Sequence, residues 1–228
     1  MHSRVHGHLA PEPNLDMAYP NFFALIGDIV GSRQLDDRAD VQVRFRDGIR
    51  ALNVTHGALL TAPLKLTAGD EVQGLTRHPH VVVDIISGLA ETMFPVEVAW
   101  GLGRGDVTTD LVDDVSLLDG SSFHRAREAV EVSKRKSKWF EVRGVSEPSG
   151  ATLAALFNLI GALRSSWTSR QAEVVREARG KTQAHVAEDL DVAESTISRT
   201  LGAAHYKRIV EGEEAARSLL AYLEQVSE

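Results

Sequence analysis

The 228-residue chain contains no cysteine. That absence excludes disulfides, thiolate nucleophiles and cysteine-ligated zinc, and it fits the reducing cytoplasmic setting expected for this chain. No apolar stretch reaches the roughly 18 residues needed to cross a bilayer. The first 20 residues also lack the apolar core of a signal peptide, so no membrane partner is expected. Basic excess is missing too. The net charge is −7, and any nucleic-acid contact has to come from a local patch. A hydrophobic content of 43% leaves enough apolar residues for a sizeable core, in one large domain or a medium domain plus a small one.

Two stretches carry the chemistry. The first, Phe22 to Arg33, is an apolar run ending in Gly27-Asp28-Ile29-Val30-Gly31-Ser32-Arg33. It reads as a buried strand with a carboxylate where burial ends and a glycine three residues later. The second, Lys65 to Gln73, reads as a tight hairpin around Ala68-Gly69-Asp70. Either aspartate alone can equally cap a turn or sit in a hairpin without further role. Together, at neighbouring strand ends beside a glycine turn with free backbone N–H groups, they suit a magnesium–triphosphate site.

In chain order, residues 1–20 read as a disordered tail with His2, His6 and His8. After the Phe22–Ile26 strand, Val41, Phe45, Ile49 and Leu52 recur at helical spacing from Asp40 to Val54. The hairpin follows. A second helix starts at Pro79, with Val82, Ile85, Ile86, Leu89 and Met93 as its apolar face. Val96 to Leu102 is then a strand. This β-α-β-β-α-β order is the ferredoxin-like arrangement, with both helices on one face of an antiparallel sheet. Gly101, Gly103 and Gly105 follow with Arg104, either as a flexible strand end or as a phosphate-facing loop. Residues 107–119 read as a solvated acidic connection, leading to a helix over Phe123–Val132. Ser133 to Trp139 is the most basic segment, a solvated face or a phosphate receiver. Trp139 to Val142 reads as a further strand. Pro148-Ser149-Gly150 marks the expected end of a nucleotide-binding domain over 21–147 and the start of a helical domain over 148–228.

In that second part, Ala151 to Trp167 is apolar nearly all round, which predicts a buried helix. Segments Ser169–Arg179, Gln183–Leu190 and Glu194–His205 follow, the last two joined by Asp191-Val192-Ala193, the spacing of a helix-turn-helix. Ala184, Val186, Ala187 and Leu190 are its expected packing positions on the middle segment. Glu194, Ser195, Thr196, Ser198 and Arg199 fall on the exposed side of the last segment, where a major groove would be read. Arg170, Lys181, Lys207 and Arg208 are the phosphate candidates, with Thr182 and Gln183 at the start of the middle segment. A plain helical hairpin is the alternative. Residues 168–208 balance at about +1, so affinity would rest on a few groups and on pairing of two copies. A last amphipathic helix is expected over 211–226.

These residues support a resemblance. Gly27 to Arg33, Ala68-Gly69-Asp70-Glu71, Gly101 to Gly105, Asp119-Gly120-Ser121-Ser122-Phe123 and the segment after Trp167-Thr168 together resemble the SatD family over about residues 22–208. That resemblance implies a DNA-binding, regulatory protein. At longer range the first 145 residues resemble nucleotidyl cyclase catalytic domains. Asp28-Ile29-Val30-Gly31 is similar to the metal strand of class III cyclases, and Ala68 to Val72 to the hairpin of diguanylate cyclases. The cyclase resemblance implies Mg2+ held by Asp28, Ile29 and Asp70. It further implies a purine nucleotide contacted by Val30, Gly31, Ser32, Arg33, Gly69, Glu71 and Arg104. Three departures stand out: His124 and Glu128 align with the asparagine and arginine that stabilise the cyclase transition state, and Lys65 lies one position off the lysine that precedes the cyclase hairpin aspartate. Arg104, Arg125, Arg127 or Lys134 are the residues that can compensate.

The expected function is therefore a nucleotide-responsive DNA-binding regulator, working as a homodimer because operator half-sites call for paired readers. Its partners would be DNA and nucleotide. An active cyclase or nucleotidyltransferase, and a DNA-binding protein whose front domain only dimerises, are the alternatives.

Overall fold

Alternation along the first apolar run sets the architecture. In the computed structural model, which describes residues 19–67 and 69–226, strand β1 spans Tyr19–Ile29. The expected N-terminal tail with its histidines, apart from the backbone of 19 and 20, lies outside the described residues, as does Ala68 of the hairpin turn. Phe23, Leu25 and Ile29 join one buried cluster, while Phe22, Ala24 and Ile26 join another. Successive side chains point to opposite faces of a strand, so β1 is covered on both sides and reads as a continuous apolar run.

β1 lies between β3 (Glu71–Thr76) and β4 (Val98–Val107), antiparallel to both. β2 (Leu60–Thr67) pairs with β3, and β5 (Phe140–Arg143) runs parallel to β4, giving a five-stranded sheet of order β2-β3-β1-β4-β5. Helices α1 (Arg38–His56) and α2 (Val81–Met93) cover the face of Phe23 and Leu25. The predicted periodic positions Val41, Phe45, Ile49, Val82, Ile85, Ile86, Leu89 and Met93 are all buried there. Helix α3 (Ser121–Arg135) covers the opposite face.

The glycine run is the clearest departure from expectation. β4 does not end at Leu102 but continues through the rest of the run to Val107. A Cβ at Gly101 would sit 2.3 Å from the Val130 backbone nitrogen, and one at Gly103 2.1 Å from the Ser122 carbonyl oxygen. The glycines are the flat seat on which α3 rests, which is why the alternation with Leu102 and Arg104 looked like a loop motif. The acidic connection also differs: Val115 and Leu118 are buried, and Asp114 accepts from Lys65 Nζ at 2.6 Å.

Beyond β5 the chain is helical: α4 (Ser149–Ser165), α5 (Ser169–Ala178), α6 (Gln183–Asp189), α7 (Glu194–Ala203) and α8 (Tyr206–Gln225). Leu153, Ala154 and Phe157 of α4 share the core of the sheet, as do Ala216, Leu220 and Leu223 of α8. Val174, Val175, Val186, Ile197 and Leu201 of α5–α7 form a cluster of their own, joined by Ile209 of α8. The composition shift at 148 thus separates segments that pack together. Asn158 of α4 holds the edge of β5, accepting from the Trp139 and Phe140 N–H groups at 2.9 and 3.2 Å and donating to the Phe140 carbonyl at 2.9 Å. The helix α4 is not buried all round, because Leu159 is 64% exposed and Ala151 and Ala155 face outward. α8 starts earlier than expected, since His205 at φ 55 breaks the chain between α7 and α8.

A buried ionic cluster ties the helical part to α2. Arg164 Nη2 donates to Glu91 at 3.0 Å and Glu213 at 2.6 Å, and Arg179 donates to the same two carboxylates at 2.6 and 2.7 Å. The hydroxyl of Ser87 adds a bond of 2.6 Å to Glu213.

Candidate functional site

The site forms where β1 leaves the sheet. Asp28 stands opposite Glu71 of β3 and Ala99 of β4. One residue further, the Ile29 N–H donates to the Asp70 carbonyl at 3.0 Å and the Val30 N–H to the Glu97 carbonyl at 2.9 Å. The chain then turns through Gly31 at φ 65, a left-handed conformation that glycine adopts freely. After that turn Ser32 Oγ donates to Asp70 Oδ2 at 2.5 Å. The two sequence stretches therefore meet, along the β1–β3 ladder and, beyond its end, through one backbone bond and one side-chain bond. Gly69, at φ 83, completes the hairpin, and its carbonyl accepts from Gln42 of α1 at 3.1 Å.

Helix α3 supplies the opposing charge. Directly opposite residues on adjacent strands share a face, so Asp28 and Glu71 both look toward α3. Lys134 Nζ lies 3.2 Å from Asp28, and Arg127 forms a two-pronged pair with Glu71. These cations are seven positions apart on one face of the helix. Burial, opposed by Lys134 and reinforced by the charges of Asp70 and Glu71, raises the Asp28 pKa above its ordinary value. For Glu71 burial acts upward, but Arg127, Gln73 and Thr67 win and hold its carboxyl below the ordinary value.

The folded chain holds a proton on Asp28 more tightly than the unfolded chain does, so this group's contribution falls as pH rises through that range. Asp28→Asn is therefore expected to raise Tm at neutral pH. The gain should vanish once the pH drops below the carboxylate range, as thermal melts across pH would show.

Several expected site residues are placed elsewhere. Arg104 points to the other face of β4, is 4% exposed, lies over the Phe23 ring and donates to Asn21 and the Val226 carbonyl. It cannot reach a ligand at Asp28, because the alternation set by the glycines turns it away. The Glu71 carboxylate is consumed by Arg127, Thr67 and Gln73, so it is a poor nucleotide contact. Val30 is 46% exposed, and Arg33 lies on the surface beside it. Ile29 is buried. His124 and Glu128 are 74% and 66% exposed on the outer side of α3. The helical positions that face the carboxylates are those of Arg127 and Lys134, two of the four candidates for compensation. Arg125, by contrast, donates to the Arg104 carbonyl at 2.7 Å.

Sequence reasoning missed what adjoins this turn. A cleft of about 1060 Å³ opens from Val30, Gly31 and Lys134, passes Lys138 and Trp139, and runs under α4 along Ala151, Ala155 and Ala162. No signal in the sequence joins α4 to the turn, because the two meet only through β5. Among the described residues no three His, Cys, Asp or Glu side chains are grouped to hold a metal. Mg2+ commonly takes one or two protein carboxylates and completes its shell with water and phosphate oxygens. Asp28 and Asp70 are two carboxylates of that kind, the first paired with Lys134 and the second accepting from Ser32.

In the helical part, α6 and α7 are joined through residues 190–193, with Asp191 at φ 50. Glu194, Ser195, Ser198 and Arg199 are exposed on α7, Thr196 is half-buried, and Gln183 is exposed on α6. Thr182 caps α6 by accepting from the His185 N–H. The expected packing residue Ala184 is exposed. Arg170 pairs with Glu173 at 2.8 Å, Lys181 with Glu177 and Asp189 at 3.0 and 2.9 Å, and Arg208 with Glu211 at 2.8 Å, while Lys207 is exposed. Such exposed pairs are weak and exchange readily for other anions.

Comparison with known proteins gives a family. The SatD family model matches residues 22–220. No curated protein matches the chain. Among solved structures, a bacterial light-regulated adenylyl cyclase is similar at 15% identity and a TM-score of 0.40, over 53% of this chain and 74% of the other. A regulator of polyketide synthase expression from Bifidobacterium adolescentis is similar at 11% identity and a TM-score of 0.25, over 91% and 88%. Likenesses this low establish no function.

Proposed function

The chain belongs to the SatD family, and from that premise we propose that it is a nucleotide-responsive DNA-binding regulator. In this reading the sheet domain is a ferredoxin-like, cyclase-like sensor for a Mg2+–purine nucleotide, and α6 and α7 are a helix-turn-helix reader. The observation that supports the proposal is that the Asp70 turn is fastened to the chain just beyond Asp28, by the Ile29–Asp70 and Ser32–Asp70 hydrogen bonds, close enough for the Asp70 charge to act on the Asp28 carboxyl. The bound ion would neutralise phosphate charge. Asp28 and Asp70 would hold it, the Gly31 turn would present backbone N–H groups to phosphate oxygens, and Lys134 would exchange its carboxylate partner for them.

Packed side chains run from the Val30 turn toward the end of α7. The Glu97 carbonyl that accepts from Val30 follows Phe94, whose ring packs 6.5 Å from that of Trp167. The indole Nε1 of Trp167 donates in turn to the Ala204 carbonyl at the end of α7, at 2.9 Å. A ligand that favours one position of the Val30 turn would shift how two copies of α7 meet DNA.

A thermal-shift panel tests the sensor half. ATP or GTP with Mg2+ at about 100 times Kd is expected to stabilise the protein by about 2.7 kcal/mol. For a chain of this size that is roughly 5–10 °C in Tm. The shift should shrink without Mg2+ and disappear in Asp70→Ala. For the reader half, Arg199→Ala should reduce retention of random-sequence duplex DNA, with the nucleotide altering retention by the wild type. Equal retention by both proteins would remove the DNA-reading assignment.

Arg127 and Lys134, facing the carboxylates, favour a second reading, an active cyclase or nucleotidyltransferase, since cations there would stabilise developing phosphate charge. Incubation with ATP or GTP and Mg2+ decides it: a product that vanishes in Asp28→Ala establishes turnover.

A further inference from the structure

The cleft under α4 has the size and chemical gradient of a binding site. Its volume, about 1060 Å³, is just above the roughly 300–1,000 Å³ of small-molecule pockets. At one end lie the Gly31 turn, Lys134, paired with Asp28, and Lys138, paired with Glu141 at 2.8 Å, two cations that a polyphosphate would take over from their carboxylates; Glu97 and Glu147 line the cleft as well. Along the wall of α4 the side chains shrink to Ala151, Ala155 and Ala162, leaving room for a flat ring. Trp139 lines the cleft half-buried, its indole packed on Gly161 of α4, 5.6 Å from the Arg164 guanidinium and 6.2 Å from the Phe157 ring, with the rest of it open. Aromatic rings of this kind are surfaces on which bases stack.

Building on the sensor reading above, we propose that this cleft seats the base and ribose of the nucleotide, with the phosphates directed to Lys134, Lys138 and the Gly31 turn. The ligand is then a nucleotide, rather than a bare polyphosphate, and it bridges the sheet to α4. That contact matters because α4 runs through Ser165 and Ser166 into Trp167 and α5. Ligand seated there would touch the helical part directly.

The test compares Mg2+–ATP and Mg2+–GTP with Mg2+–tripolyphosphate in wild type, Asp70→Ala and Ala155→Trp. Ala155 is exposed, so the larger ring fills the cleft without entering the core; Ala162→Trp, on the same wall and equally exposed, replaces it should that variant misfold. The expected result is at least tenfold weaker nucleotide binding in Ala155→Trp with tripolyphosphate binding unchanged. Nucleotide should also quench tryptophan fluorescence in wild type, and the quench should be lost in Trp139→Phe. Undiminished nucleotide binding in Ala155→Trp, alongside loss in Asp70→Ala, overturns the cleft assignment and leaves the carboxylate site standing. Equal stabilisation of wild type by tripolyphosphate and nucleotide also overturns it. Absence of any nucleotide effect in wild type overturns both.

Discussion

Glu213→Ala is expected to lower Tm by roughly 6–20 °C, from a loss of about 3–5 kcal/mol and about 2–4 °C per kcal/mol. Glu213 is 2% exposed and accepts from Arg164, Arg179 and Ser87. Its removal leaves Arg164, itself 6% exposed, with Glu91 as its remaining carboxylate. Burial acts to raise the Glu213 pKa, but Arg179, Arg164 and Ser87 prevail and lower it from 4.5. A depressed carboxylate contributes stability that is fully present above its unfolded-state pKa and is lost as pH falls through the folded one. The Tm of wild type should thus fall through the acid range below about 4.5, and Glu213→Gln should flatten that dependence. Glu211→Ala is the matched control. Its partner Arg208 is 73% exposed, so the change should stay below about 1 kcal/mol.

Gly103→Ala should cost about 3 kcal/mol or more, at or beyond the usual range for overpacking. The added methyl would meet backbone, 2.1 Å from the Ser122 oxygen and 2.3 Å from the Ala126 nitrogen. Side chains can rotate away from an intrusion; here the helix itself must move. Because α3 carries Arg127 and Lys134, nucleotide binding should weaken in the same variant. Gly57→Ala provides the contrast, since nothing lies within 4 Å of a Cβ there and its φ is −55. That change should leave stability equal or slightly improved. Denaturant melts of the two variants check the pair.

What could be read in the sequence follows from the range of the forces involved. Local periodicity exposed α1 and α2, because Val41, Phe45 and Ile49, or Ile85, Leu89 and Met93, repeat at the helical period within one element. The Asp28 and Asp70 stretches were legible because strand ends and glycine turns have local signatures. Arg104 was misplaced for the same reason: Gly-x-Gly-x-Gly looks like a phosphate loop, and only the packing of α3 reveals it as a strand with one bare face. The ionic cluster joins Glu91 to Arg164 and Arg179, and Arg164 to Glu213. No short-range pattern links residues so far apart, so the sequence carries no mark of the cluster. The cleft stayed invisible because Lys134 and Ala155 come together only through β5 and the grip of Asn158.

Calorimetric titration of ATP and GTP into the full chain, with and without Mg2+, addresses the convergence of the two aspartates most directly when repeated on Asp28→Ala and Asp70→Ala. Expected is a saturable, Mg2+-dependent association in wild type. It should be weakened in each variant by more than the roughly 10–100-fold typical of losing even an outer-shell partner of a metal site. Binding of equal strength in all three proteins, or none in wild type, would contradict a metal–nucleotide site at Asp28 and Asp70.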